Sequence, residues 1–251
     1  MIERRPTALL TCGILAALLY VAMTLLVGQL WDGYSAGSQM ISELSAIDAP
    51  TRPLWLLLGT VYSVLMIAFG WGVWTSSPHR RIPRVLGILL IIHGVFSAYW
   101  PPMHQRAALA AGGRTLTDTL HIVWTAVTGL LFLSEAALGA AAFGKRFRVY
   151  SVVSLVIALA AGAVTGTYTS DLEANLPTPW AGVWERIGAG VYMLWIAVLA
   201  IAVLRAPTEE IGHTAPNVST SVIADGGASS LAIPGTRGML TARQTKRLQR
   251  L

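Results

Sequence analysis

Six apolar stretches, each near the length one helix needs to cross a bilayer, constrain this chain more than any other feature. They run from Thr7 to Gln29, Pro53 to Trp74, Val85 to Trp100, His121 to Phe143, Tyr150 to Thr167 and Ile187 to Leu204. A hydrocarbon core roughly 30 Å thick takes about 20 residues per helix. It offers no water to an unpaired N–H or C=O, so such segments fold as helices. Composition agrees: 54% of residues are hydrophobic and 12% charged, against about 25% charged in an ordinary soluble domain. The expectation is an all-α, polytopic membrane protein, with about six transmembrane helices bundled over residues 1–206. The third stretch is the shortest, and Pro101-Pro102 marks its end because proline lacks the N–H a helix ladder needs. Beyond Leu204 the chain turns to Pro, Thr, Glu, Ser and Gly, which predicts a disordered basic tail over 207–251.

Orientation follows from the connections. Arg4 and Arg5, then Arg80, Arg81 and Arg84, then Lys145, Arg146 and Arg148 alternate with connections that are acidic or balanced. Lysine and arginine gather on the cytoplasmic side, so both termini are expected inside and the long loops outside, in a cell membrane and most simply a bacterial inner membrane. The same bias accounts for the net charge of +6 without invoking nucleic acid. The partners expected instead are membrane lipids and a lipid-like small molecule. Cys12 is the only cysteine, which excludes an intrachain disulfide and a cysteine-based metal cluster. The first apolar run is about 20 residues and has no small-residue cleavage site before Trp31, so it is expected to be retained as a helix.

The chemistry-bearing residues fall into two depths. Asp118, His121, Thr125, Thr128 and Glu135 share one face at 3.6 residues per turn. Asp118 and His121, three apart, can hold a metal or act as an acid–base pair; alternatively, Asp118 caps the helix and His121 sits in the wet interface. Deeper, His93 and Glu135 lie about 13 to 15 Å from the cytoplasmic charges, counted at 1.5 Å per residue. An intramembrane histidine and glutamate mark either a functional site or a structural lock between helices. The outer loops add Glu43, His104, Arg106, Asp171, Glu185 and Arg186. Asp118, His121, His104 and Glu43 are the candidate catalytic set, and Arg106, Glu185, Arg186 and Asp171 the candidate substrate-binding set. An arginine there can take a carboxylate or phosphate through two N–H donors, or pair with a neighbouring carboxylate. The fifth stretch carries Gly162 and Gly166 four apart, a signal for close helix packing. Walker, dinucleotide, HExxH and GxSxG patterns are absent, which argues against ATP-driven and nicotinamide chemistry.

The run from Tyr34-Ser35 through Ile41-Ser42-Glu43-Leu44-Ser45-Ala46 to Ala49-Pro50, with Pro102-Met103-His104, Thr117-Asp118, His121 and Glu185-Arg186, resembles the bacterial multi-pass family catalogued as domain of unknown function 998. The resemblance covers roughly residues 7 to 204 and implies a six-span membrane fold. A looser likeness, histidines and an aspartate near one membrane face, is to the ceramidase and adiponectin-receptor superfamily of zinc-dependent lipid amidases. It implies a divalent metal such as zinc, although this chain has six apparent spans and no HxxxH in its last one. Three functions remain open: a membrane enzyme acting on a lipid or isoprenoid-like substrate, a proton-coupled transporter, and a non-catalytic binding or scaffold protein.

Overall fold

The computed structural model describes residues 6–206; the predicted tail and the first five residues lie outside that range. Among the described residues there is no strand, and the long helices are α1 (Thr7–Leu26), α2 (Arg52–Thr75), α3 (Arg81–Ser97), α5 (Leu116–Ala142), α6 (Lys145–Thr167) and α8 (Ala181–Arg205). Two one-turn helices, α4 (Arg106–Ala110) and α7 (Thr169–Glu173), lie in the long connections. Five of the long helices are long and apolar enough to cross a membrane. The sixth, α3, has 17 residues, about 25 Å at 1.5 Å per residue, the lower end of a spanning length.

Each long helix packs on the next, α1 on α2, α2 on α3, α3 on α5, α5 on α6 and α6 on α8, and α8 returns to α1. The bundle is therefore a closed ring of six helices. Leu10, Met66, Phe69, Leu86, Leu90, Trp195 and Leu199 are fully buried inside it. Trp195 satisfies its indole N–H by donating to Ser151 Oγ at 2.9 Å, as a buried donor must. Leu18, Leu57, Val64, Leu130 and Val156 face outward with at least 60% of their surface exposed, a pattern suited to lipid rather than water.

Close approach occurs where small residues meet backbone. A Cβ on Gly87 would lie 2.8 Å from the Gly70 carbonyl oxygen, and one on Gly94 would lie 2.9 Å from Ile67 N. The tight seam is therefore α2 on α3. Gly162 and Gly166 of α6 have nothing within 4 Å of a built Cβ, so the expected close packing there is not present. A small-xxx-small pattern permits approach but does not select a partner.

Four helices begin earlier than hydropathy implies, because their first turns are polar or charged: α3 at Arg81 and α6 at Lys145 on the basic connections, and α5 and α8 at the other end. α5 starts at Leu116, with Thr115 and Asp118 forming a reciprocal capping box that satisfies otherwise orphaned N–H groups. α8 starts at Ala181, after Trp180 in a left-handed conformation at φ 71°. Glu185 and Arg186, expected in an outer loop, thus sit on the opening turns of α8.

Candidate functional site

The long loops gather at one end of the bundle, where residues 31–51 run without a long helix and contain a 3₁₀ turn, Ile41–Ser45. Buried backbone polar groups there need partners that no helix ladder supplies. Side chains from the other connections provide them. Arg106 grips the Glu43 carboxylate with both edges of its fork, Nε to Oε2 at 2.7 Å and Nη2 to Oε1 at 2.6 Å. It also donates to Thr178 Oγ1 at 2.7 Å and to the Ser38 carbonyl at 3.2 Å. Thr178 in turn donates to Ser38 O at 2.7 Å. The fork expected to receive a carboxylate therefore receives one from Glu43 of the same chain.

From α8, the Glu185 carboxylate accepts the Ile41 N–H at the start of the 3₁₀ turn. Arg186 donates to Ala36 O at 2.7 Å, Gln39 O at 3.0 Å and Tyr34 Oη at 2.7 Å. Tyr34 donates its own hydroxyl to Met40 O at 2.9 Å. Burial pushes the Tyr34 phenol up to about 12, which keeps it a neutral donor at ordinary pH. Gly182 is required at this contact, since a Cβ would collide with the Gln39 and Ala36 carbonyl oxygens. Ile47 N donates to Met103 O at 2.8 Å, which ties the first loop to the second. The whole is a clasp.

Beside the clasp, Asp118 faces His104. Oδ1 accepts the His104 backbone N–H at 2.7 Å, while Oδ2 lies 2.9 Å from His104 Nδ1 and accepts Thr115 N–H at 2.8 Å. With Asp118 ionised, Nδ1 must carry the proton and Nε2 the lone pair. No described residue bonds to Nε2, and the His104 side chain retains 22% of its exposure. His121 is turned elsewhere. Its Nδ1 is 2.8 Å from Pro101 O and 3.1 Å from the Trp100 indole nitrogen. One tautomer donates to Pro101 and the other accepts from Trp100; a single nitrogen cannot do both at once. Asp171, on α7, joins none of these contacts, and Thr125 and Thr128 bond to carbonyls of their own helix.

Within the ring, His93 Nδ1 lies 3.1 Å from Glu135 Oε1 and 2.9 Å from Tyr192 Oη, and Tyr192 donates to Glu135 Oε2 at 3.1 Å. The His93 ring also stacks on Tyr192 at 5.0 Å. Glu135 is fully buried, with His93 4% and Tyr192 8% exposed. Three helices, α3, α5 and α8, are thereby joined by a triad whose members bond to one another.

Residues 14–202 match the family described as protein of unknown function (DUF998). The chain belongs to that family. Neither a curated protein nor a solved structure matches it. The family match runs from within α1 to near the end of α8, so the clasp, the His104–Asp118 dyad and the triad all fall inside the DUF998 region. With several apolar helices, this DUF998 protein is a membrane protein of unassigned activity. Among the described residues no three His, Cys, Asp or Glu side chains come together as a metal site would require, so the dyad supplies at most two ligands of a four-ligand set.

Three participants escape a reading of the sequence. Thr178 and Tyr34 look like loop residues until the loops are superimposed in space, and Tyr192 looks like one more aromatic in an apolar helix. Tyr192 did leave a trace once α8 is extended to Ala181: it falls seven residues, two helical turns, after Glu185 and so shares its face.

Proposed function

We propose that this DUF998 protein is a membrane enzyme in which His104 acts as general base on a lipid or isoprenoid-like substrate at the loop-rich end. The observation that carries the reading is the His104–Asp118 contact. The carboxylate fixes the imidazole in one tautomer and stabilises the cation formed when Nε2 takes a proton, which is the arrangement general-base catalysis needs. The nearby arginines and carboxylates support a separate role, because Arg106 and Glu43 are bound to each other and hold the loops in place. Amphipathic substrates fit a base at the membrane–water boundary, where a headgroup reaches the imidazole while its chain stays in lipid.

The test is to reconstitute the purified protein into vesicles made from total lipid extract and follow lipid species by mass spectrometry. Wild type is expected to deplete one lipid class, and His104→Gln to lose that turnover by a factor on the order of 10² to 10⁴. An unchanged lipid profile with wild type, or equal turnover by His104→Gln, would sink the reading. A second reading, proton-coupled transport, is favoured by the triad. Glu135, Tyr192 and His93 permit two bonding patterns, one with the proton on His93 and one with it on Glu135, related by proton hops over about 3 Å. Under that reading Tyr192→Phe would abolish pH-driven flux while leaving lipid turnover intact.

The arginine and lysine bias supports a bacterial cytoplasmic membrane with the loop-rich end outside. Reporter fusions after Arg84 should read cytoplasmic and those near Asp48 external. A cytoplasmic signal near Asp48 would reverse the orientation.

A further inference from the structure

At the loop-rich end Arg186, like Arg52, which donates to the Ser45 carbonyl, is held by neutral acceptors rather than by a carboxylate. Arg106 is paired with Glu43 and Arg114 with Glu173. Arg186 directs its Nη atoms to backbone carbonyls and to Tyr34, and among the described residues it has no ion pair. Its Nε is buried without any hydrogen-bond partner. A buried guanidinium donor without a partner is unfavourable, and an acceptor reaching Arg186 from outside the chain would relieve it.

Arg186 also lines a cleft of about 120 Å³ between α1 and α8. Tyr20 lies in the same cleft, and its other walls are largely apolar, formed by Val21, Leu25, Ile41, Ala189 and Gly190, with Thr24 donating its hydroxyl to the Val21 carbonyl of its own helix. Val21 and Leu25 are 41% and 57% exposed on the outward face of α1, so the cleft borders the lipid rather than the centre of the bundle. Its volume is well above the ~10–15 Å³ of such space that one water needs, and it admits the first few methylenes of one chain. Gly190 leaves the space open, since nothing lies within 4 Å of a Cβ built there.

We propose that this cleft binds one glycerophospholipid, its phosphate at Arg186 and the start of an acyl chain between α1 and α8. The cation selects an anionic oxygen, and the apolar walls select a ligand that carries a chain. A free anion would leave Val21, Leu25 and Ala189 uncovered. The site uses none of the residues of the His104 reading and stands or falls separately from it.

The experiment is native mass spectrometry of the full-length protein in detergent, with dioleoyl-phosphatidylglycerol as probe. Wild type should retain one equivalent, and inorganic phosphate should fail to displace it. Dioleoylglycerol, which lacks the phosphate, should not be retained. Gly190→Leu fills the cleft and should lower retention about tenfold or more, equivalent to ~1.4 kcal/mol. Leu25→Trp, at an exposed position on the cleft wall, should lower it as well without touching the core. Retention by Gly190→Leu or Leu25→Trp equal to wild type would overturn the proposal, as would displacement by phosphate alone or equal retention of dioleoylglycerol.

Discussion

At the loop-rich end, Arg106 and Arg186 direct donors to backbone carbonyls of one loop, whereas inside the ring the side chains of His93, Glu135 and Tyr192, among the described residues, bond to one another. The difference follows from what each region lacks. Residues 31–51 have few backbone bonds of their own, so the clasp supplies them and orders the loop. The helices of the ring already satisfy their backbones, so a polar side chain there can find a partner only in another side chain. Side chains of similar chemistry therefore hold down a loop in one place and join helices in the other, and the two sets should respond differently to mutation.

Arg106→Ala should have the largest effect. It strands Glu43, 3% exposed, as a buried uncompensated carboxylate, for a loss of about 3–5 kcal/mol. Thermal unfolding in detergent measures it, and a Glu43→Gln, Arg106→Met double variant should recover much of the loss. A single variant as stable as wild type would mean the loop does not depend on the clasp. Next is Gly182→Ala, where the new methyl meets two carbonyl oxygens that the clasp has brought close. Overpacking of this kind costs about 1–3 kcal/mol. Limited proteolysis should then cut within residues 31–51 while the helices stay intact. Tyr192→Phe, in the ring, removes one hydroxyl and two contacts. Membrane-buried hydrogen bonds average about 0.6 and reach about 1.7 kcal/mol, so the shift should be smaller than either clasp variant. A larger loss than for Arg106→Ala would invert the comparison.

What the sequence made legible depended on whether one segment sufficed to see it. Six apolar runs and the depth of His93 and Glu135 needed only counting along single helices. The apolar run of α5 begins only at His121 because Thr117 and Asp118 lower the hydropathy, whereas the helical spacing of Asp118 and His121 and the capping reading of Asp118 already point to the polar entry at Leu116. The apolar run of α8 likewise begins late, because its opening turns carry Glu185 and Arg186. Contacts between segments were harder. Glu43 with Arg106, and Tyr192 with His93, depend on which helix neighbours which and on how it is rotated, and no periodicity encodes either. Gly162 and Gly166 show the converse, a packing signal with nothing packed on it, while Gly70, Gly87 and Gly94 bring α2 and α3 together.

The smallest effect expected is at Arg114, and it tests whether burial rather than pairing gives the clasp its strength. Arg114 and Glu173 form an ion pair at 2.8 Å, within 0.2 Å of the Arg106–Glu43 contact at 2.6 Å, but their side chains are 44% and 34% exposed. Water and salt screen such a pair, and ordering two long side chains offsets part of the Coulomb gain. Arg114→Ala should therefore cost only about 0.2–1 kcal/mol, with most of that small difference disappearing at high salt. Arg106→Ala should remain destabilising at the same salt concentration, because Glu43 is shielded from solvent ions as well as from water. Parallel unfolding curves at low and high salt separate the two cases. If Arg114→Ala matched Arg106→Ala in size and in salt response, geometry alone would set the strength of these pairs, and the clasp would owe nothing to its burial.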